Sequence, residues 1–134
     1  MNDVSPVPQR LVTISIVGVL QDARVFYSYT SPIYGATFID SPNCDISIDQ
    51  PTHTLFVLDF AASMNGWEFV EILPNTDPSP LGWKLGLKGL SIMTTNNYDP
   101  LYPHHSYYIK YKNSITGKEM QHDPQEGNVN PPMH

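Results

Sequence analysis

Proline recurs thirteen times along this chain of 134 residues, and no stretch between the prolines sustains a helical period of apolar residues. A proline inside a helix removes a backbone hydrogen bond and clashes with the preceding turn, so the chain is divided into short segments. Where those segments are apolar, they alternate. In "RLVTISIVGVL", Val12, Ile14 and Ile16 alternate with Thr13, Ser15 and Val17, the period of a half-buried strand. Eight tyrosines and five phenylalanines add side chains that suit strands. The expectation is an all-β chain of short strands joined by turns.

The same reading continues along the sequence. "RVFYSYT" (24–30) repeats the alternation with aromatics and closes on Ser31-Pro32. "ATFID" and "DISID" are short strand candidates separated by the turn residues "SPN". "HTLFVLDFAA" is the most apolar stretch, and Leu55 to Phe60 is expected to run centrally between two layers. "GWEFVEIL" reads as a strand in preference to a short helix. "WKLGLKGLSIMTT" has two glycines that would weaken a helix and fits a strand or a bulged pair. The total is seven to nine short, mostly antiparallel strands in one β-sandwich domain spanning 1–134, with 1–9 and 125–134 as extended or mobile ends.

Composition removes several function classes. The formal charge is −6 with seven Lys and Arg, which lacks the basic footprint of a nucleic-acid binder. Cys44 is the single cysteine, so an internal disulfide and the cysteine-rich metal patterns are excluded, and a buried, idle thiol is expected. "MNDVSPVPQR" has neither a basic start nor an apolar core, and Leu11 to Leu20 is too short to span a bilayer. A cytoplasmic protein without membrane contact is expected. His104 and His105 are adjacent and point to opposite faces of a strand, a poor chelate, so neither a metal nor a cofactor is expected. No serine-nucleophile elbow or phosphate loop is present in the sequence.

The last hairpin can be registered from the sequence. In "YYIKYKNSITGKEMQHD" the loop Ser114 to Gly117 places Asn113 opposite Lys118, with Gly117 taking the left-handed conformation at the loop's end. Carried outward, this pairs Lys112 with Glu119, Tyr111 with Met120, Lys110 with Gln121, Ile109 with His122 and Tyr108 with Asp123. Asp123 then shares a face with Lys110, its diagonal neighbour at roughly 7–8 Å. Three Asp-Pro bonds occur, at Asp77-Pro78, Asp99-Pro100 and Asp123-Pro124. The first two fall in turn-rich loops; the third ends a strand beside a lysine. Asp-Pro is the most acid-labile of peptide bonds, because the carboxyl can attack its own carbonyl and the proline nitrogen is a basic leaving group.

With the "YYIKYKN" strand and the closing "HDPQEGN", the sequence resembles a small bacterial family known by its Asp-Pro and Glu-Pro motif, whose members are self-cleaving, self-assembling aspartic-type endopeptidases. The family has proline after the glutamate, whereas Glu126 is followed here by Gly127. The resemblance implies a β-sandwich that takes its own polypeptide as substrate, cuts at Asp123-Pro124 and forms a homo-oligomer. It further implies that the freed Asp123 becomes amide-linked to a lysine, with Lys110 the first choice by register and Lys112 the second. His122 and Glu126 are the nearest acids for protonating the Pro124 nitrogen, although regular alternation sends His122 to the opposite face. The competing expectation is a non-catalytic sandwich that binds a protein or glycan partner through its edges or aromatic loops.

Overall fold

The structure, a computed structural model, describes residues 9–20, 22–30, 37–48, 50–74, 81–96, 104–105 and 107–128. Its strands are β1 (Gln9–Val17), β2 (Arg24–Thr30), β3 (Thr37–Ser41), β4 (Asp45–Ile48), β5 (Thr52–Leu58) and β6 (Trp67–Pro74), followed by β7 (Leu81–Leu85), β8 (Ser91–Asn96), β9 (His104–His105), β10 (Tyr107–Asn113), β11 (Glu119–His122) and β12 (Gln125–Asn128). One short helix, α1 (Phe60–Met64), follows β5. A six-stranded sheet in the order β3-β2-β1-β5-β8-β7 faces a three-stranded sheet in the order β11-β10-β6. These two layers are the expected sandwich. Three short strands form a further small sheet, β4-β12-β9. Pairing is antiparallel except for β1 with β5 and β4 with β12.

The core follows from the alternation. Val12, Ile14 and Ile16 of β1 turn inward with Val25, Tyr27 and Tyr29 of β2, and with Phe56, Leu58 and Ile92 from β5 and β8. Against them lie Trp67, Phe69 and Ile72 of β6 and Tyr107, Ile109 and Tyr111 of β10. Each such side chain contributes about 1.5–3 kcal/mol on burial. Trp67 also donates its indole N–H to the Gly18 carbonyl at 2.9 Å, fixing one layer to the end of β1 in the other.

The central position of the apolar stretch holds, but its boundaries differ. β5 begins at Thr52 and stops at Leu58, flanked by β1 and β8. Asp59 ends the strand because its carboxylate accepts from the Ala62 N–H at 2.7 Å and from the Ser15 hydroxyl at 2.6 Å, capping α1. Phe60 therefore opens a helix and is exposed, and Leu55 faces outward from a sheet covered on one side. "GWEFVEIL" is strand β6, and "WKLGLKGLSIMTT" supplies most of the β7-β8 pair, linked through a short 3-10 turn at Leu87–Gly89. Residues 125–128, placed in an extended or mobile end by the sequence, form the paired strand β12. Among the described residues no helix is long and apolar enough to cross a membrane.

The β10-β11 hairpin adopts the register read from the sequence, from Lys112 opposite Glu119 to Ile109 opposite His122. Asn113 and Lys118 close its loop at 2.8 Å, and Gly117 has φ +73. Fully buried Asn113 organises the turn: its Oδ1 accepts from the Ile115 and Thr116 N–H groups at 2.9 and 3.0 Å, and its Nδ2 donates to the Asn65 carbonyl at 2.9 Å. Asn113→Ala removes all three, and is expected to lower stability by about 1–3 kcal/mol in denaturant unfolding. A smaller loss would mean that water replaces the amide.

Candidate functional site

The hairpin delivers the chain to the Asp-Pro bond and then releases it. The β10-β11 ladder stops at Ile109 opposite His122, and neither Asp123 nor Pro124 belongs to a strand. Proline has no N–H to offer a ladder, which ends the pairing at this point. From Gln125 the chain joins a different sheet, lying parallel to β4 and antiparallel to β9. The Asp123-Pro124 bond is thus the crossing between two sheets.

His122 shares its face with Ile109 and meets the opposite layer. Its Nδ1 is hydrogen-bonded to the Tyr27 hydroxyl, with the ring centroids 5.3 Å apart. Burial pushes the His122 pKa down, partly opposed by the Asp123 charge. Burial also pushes Tyr27 far up, helped by its neighbours Tyr111, Cys44 and Asp123. A lowered imidazole pKa facing a phenol that keeps its proton defines the pair, and the imidazole tautomer sets which of the two donates. One edge of His122 lines a shallow open cleft with Ala23, Val25, Phe26 and Pro42, which gives the site access to solvent.

The Asp123 charge reaches Tyr27 as well as His122. Its Oδ1 is shielded from solvent and has no hydrogen-bond partner. Burial raises its pKa above the ordinary 3.8, and the neighbouring His122 opposes that rise only in part. The Tyr111 hydroxyl is likewise buried, beside the Tyr27 hydroxyl, whose pKa it raises by charge and by hydrogen bonding. Cys44 is a buried thiol in no disulfide, just ahead of β4, and acts electrostatically on both tyrosines. The chain thereby gathers one carboxyl, one imidazole, a second phenol and a thiol around Tyr27.

The other sequence candidates fall elsewhere. Lys110 and Lys112 stand on the outward face of β10, and Lys110 Nζ is paired with Glu119 Oε2 at 3.4 Å. No ion pair joins Lys110 to Asp123. Strand alternation extends only while the strand does, and β11 ends at His122, so the ladder register does not carry Asp123 onto the Lys110 face. Pro124 is buried at the crossing, and Glu126 stands in β12 opposite Ile46 and His105. Asp77-Pro78 and Asp99-Pro100 lie outside the described residues, as does His134. Among the described residues no group of three or more His, Cys, Asp or Glu could hold a metal ion.

Tyr27, Tyr111 and Cys44 are the members that sequence reasoning missed. Their alternation marked Tyr27 and Tyr111 as facing one side of a strand, but not which residues they would meet; Tyr27 and His122 are 95 positions apart. Compared with known proteins, the chain matches no family model, and no curated protein matches it.

Proposed function

We propose that this protein is a self-processing endopeptidase that cuts its own chain at Asp123-Pro124. The observation that carries the reading is the Asp123 carboxyl, attached to the labile bond, with a shielded and unpartnered Oδ1 and a pKa raised by burial. Such a carboxyl keeps its proton to higher pH than a free aspartate, so one group supplies both nucleophile and proton. A carboxyl oxygen of Asp123 attacks the residue's own main-chain carbonyl carbon. The C–N bond to Pro124 breaks, and the carboxyl proton passes to the proline nitrogen. The resulting cyclic anhydride takes up one water, leaving Asp123 with two carboxyl groups and Pro124 with a free secondary amine.

His122, hydrogen-bonded to Tyr27, is the side chain next to the scissile residue in the chain, and its imidazole steadies the carbonyl oxygen as charge develops. Water is the acceptor in this reading, because Lys110 is engaged with Glu119 on the other face. Holding carboxyl and carbonyl in a productive geometry can supply several kcal/mol of the rate gain.

Intact-mass measurement over days, from about pH 4 to about pH 8, tests the reading. Loss of residues 124–134 from the main species is expected, faster toward the acid end. A chain that stays whole across that range would falsify it. Tyr27→Phe is expected to slow cutting on the order of tenfold, less than the 10²–10⁴ typical of a direct proton-transfer group. Unchanged cutting in that variant would remove the His122-Tyr27 pair from the mechanism.

A second reading rests on the outer face of the large sheet, where Leu11, Leu55 and Met93 lie in one row across β1, β5 and β8. Leu11 and Leu55 are 58% and 39% exposed, a surface suited to a non-catalytic assembly module. The same mass measurement separates the two.

A further inference from the structure

The Asp123-Pro124 crossing determines what becomes of the piece that a cut would release. We propose that after cleavage the fragment beginning at Pro124 stays bound non-covalently through Gln125–Asn128, and that the slot between β4 and β9 is a binding site for an extended peptide, its occupant being this chain's own C-terminal segment. This inference rests on the cleavage reading for its biological occasion, but its physical content does not depend on how the bond is broken.

β12 is the middle strand of its sheet. On one side Gln125 to Asn128 pair with Asp45 to Ile48, and on the other Glu126 and Gly127 pair with His105 and His104. The strand is held along both edges by segments that precede the cut in sequence and stay in the large fragment. Its departure would unpair the edges of β4 and β9 that now face it, an unfavourable loss of backbone hydrogen bonds. Pro124, the first residue of the new fragment, is itself buried. On the other side of the bond, Glu119 to His122 remain paired with β10. The break thus falls between two segments, each held by its own sheet.

The new ends reinforce the arrangement. Hydrolysis adds one water and creates an α-carboxylate on Asp123 and a secondary amine on Pro124, which is protonated through most of the neutral range. Opposite charges are generated side by side. Recognition of the fragment is the strand-addition mode, in which main-chain hydrogen bonds supply the affinity.

The test uses two full-length proteins. One is the wild-type chain after self-cutting; the other carries a site-specific protease sequence inserted between residues 123 and 124 and is cut after folding. Native mass spectrometry is expected to give, for each, the mass of the uncut chain plus one water, with the C-terminal fragment released only under denaturing conditions. When the cut protein is denatured and refolded with an isotopically heavy 124–134 peptide, label is expected to enter it, and not to enter uncut Asp123→Asn treated in the same way. Gly127→Pro, which denies the middle strand an N–H and fits poorly there, is expected to speed fragment loss at least tenfold. If the fragment leaves during native gel filtration of the protease-cut protein, the strand site is overturned. If only the wild type fails to cut, the cleavage reading falls and the strand site stands on the protease-cut protein.

Discussion

Asp123→Asn is expected to stop self-cutting, with the rate falling by about 10²–10⁴ as judged by intact mass at mildly acidic pH. The amide is a poorer nucleophile and has no acidic proton to hand to the Pro124 nitrogen, so the two contributions disappear together. The pH dependence gives a second arm. The Asp123 pKa is raised above the ordinary 3.8 chiefly by burial, with the neighbouring His122 opposing the rise. A raised carboxyl contributes stability that is fully present below about pH 3.8 and lost as pH rises through its folded pKa. Asparagine has no such loss, so the melting temperature of the variant should gain on the wild type as pH rises through that window. Cutting by the wild type should decline over the same window as the carboxyl loses its proton. An Asp123→Asn protein that cuts at the wild-type rate would show that another group attacks the bond.

His122 sets the opposite slope. Its pKa is lowered from 6.5 by burial, with the Asp123 charge opposing. The unfolded chain therefore takes up the proton first, and stability is lost as pH falls below about 6.5. The two groups pull in opposite directions on acidification. Tyr27→Phe removes the partner of the imidazole and is the variant that tells their contributions apart.

The largest stability effect is expected at Trp67→Ala. Trp67 is 1% exposed in the core and ties β6 to the end of β1 through the Gly18 carbonyl at 2.9 Å. Its truncation leaves a cavity between the two layers and an unpaired carbonyl, a loss of about 3–5 kcal/mol. For a domain of this size the melting temperature should fall by roughly 10–20 °C. Thermal and denaturant unfolding both measure it, and a loss below about 1 kcal/mol would contradict the packing described for the core.

Much of the fold was legible because strand alternation is written locally. Val25, Tyr27 and Tyr29 face the core in the order "RVFYSYT" implies, and the β10-β11 register follows from four loop residues ending at Gly117. The boundary of β5 was less legible. "HTLFVLDFAA" shows no break in its apolar run except Asp59, whose role as a helix cap depends on Ser15 reaching it from β1. β12 was not legible at all, because "QEGN" has no strand pattern and is held by β4 and β9 through its backbone.

The sequence by itself determined that the chain is built of short strands, that its last hairpin has one register, and that an acid-labile Asp-Pro bond follows directly from it. Only the tertiary structure decided which way Asp123 turns. Register arithmetic carries a side chain's direction along a strand, but the strand ends where Pro124 has no N–H to give. Beyond that point the direction is set by which sheet receives the chain. Here it is received between β4 and β9, which leaves Asp123 beside Tyr27 and His122 and leaves Lys110 with Glu119 on the outer face.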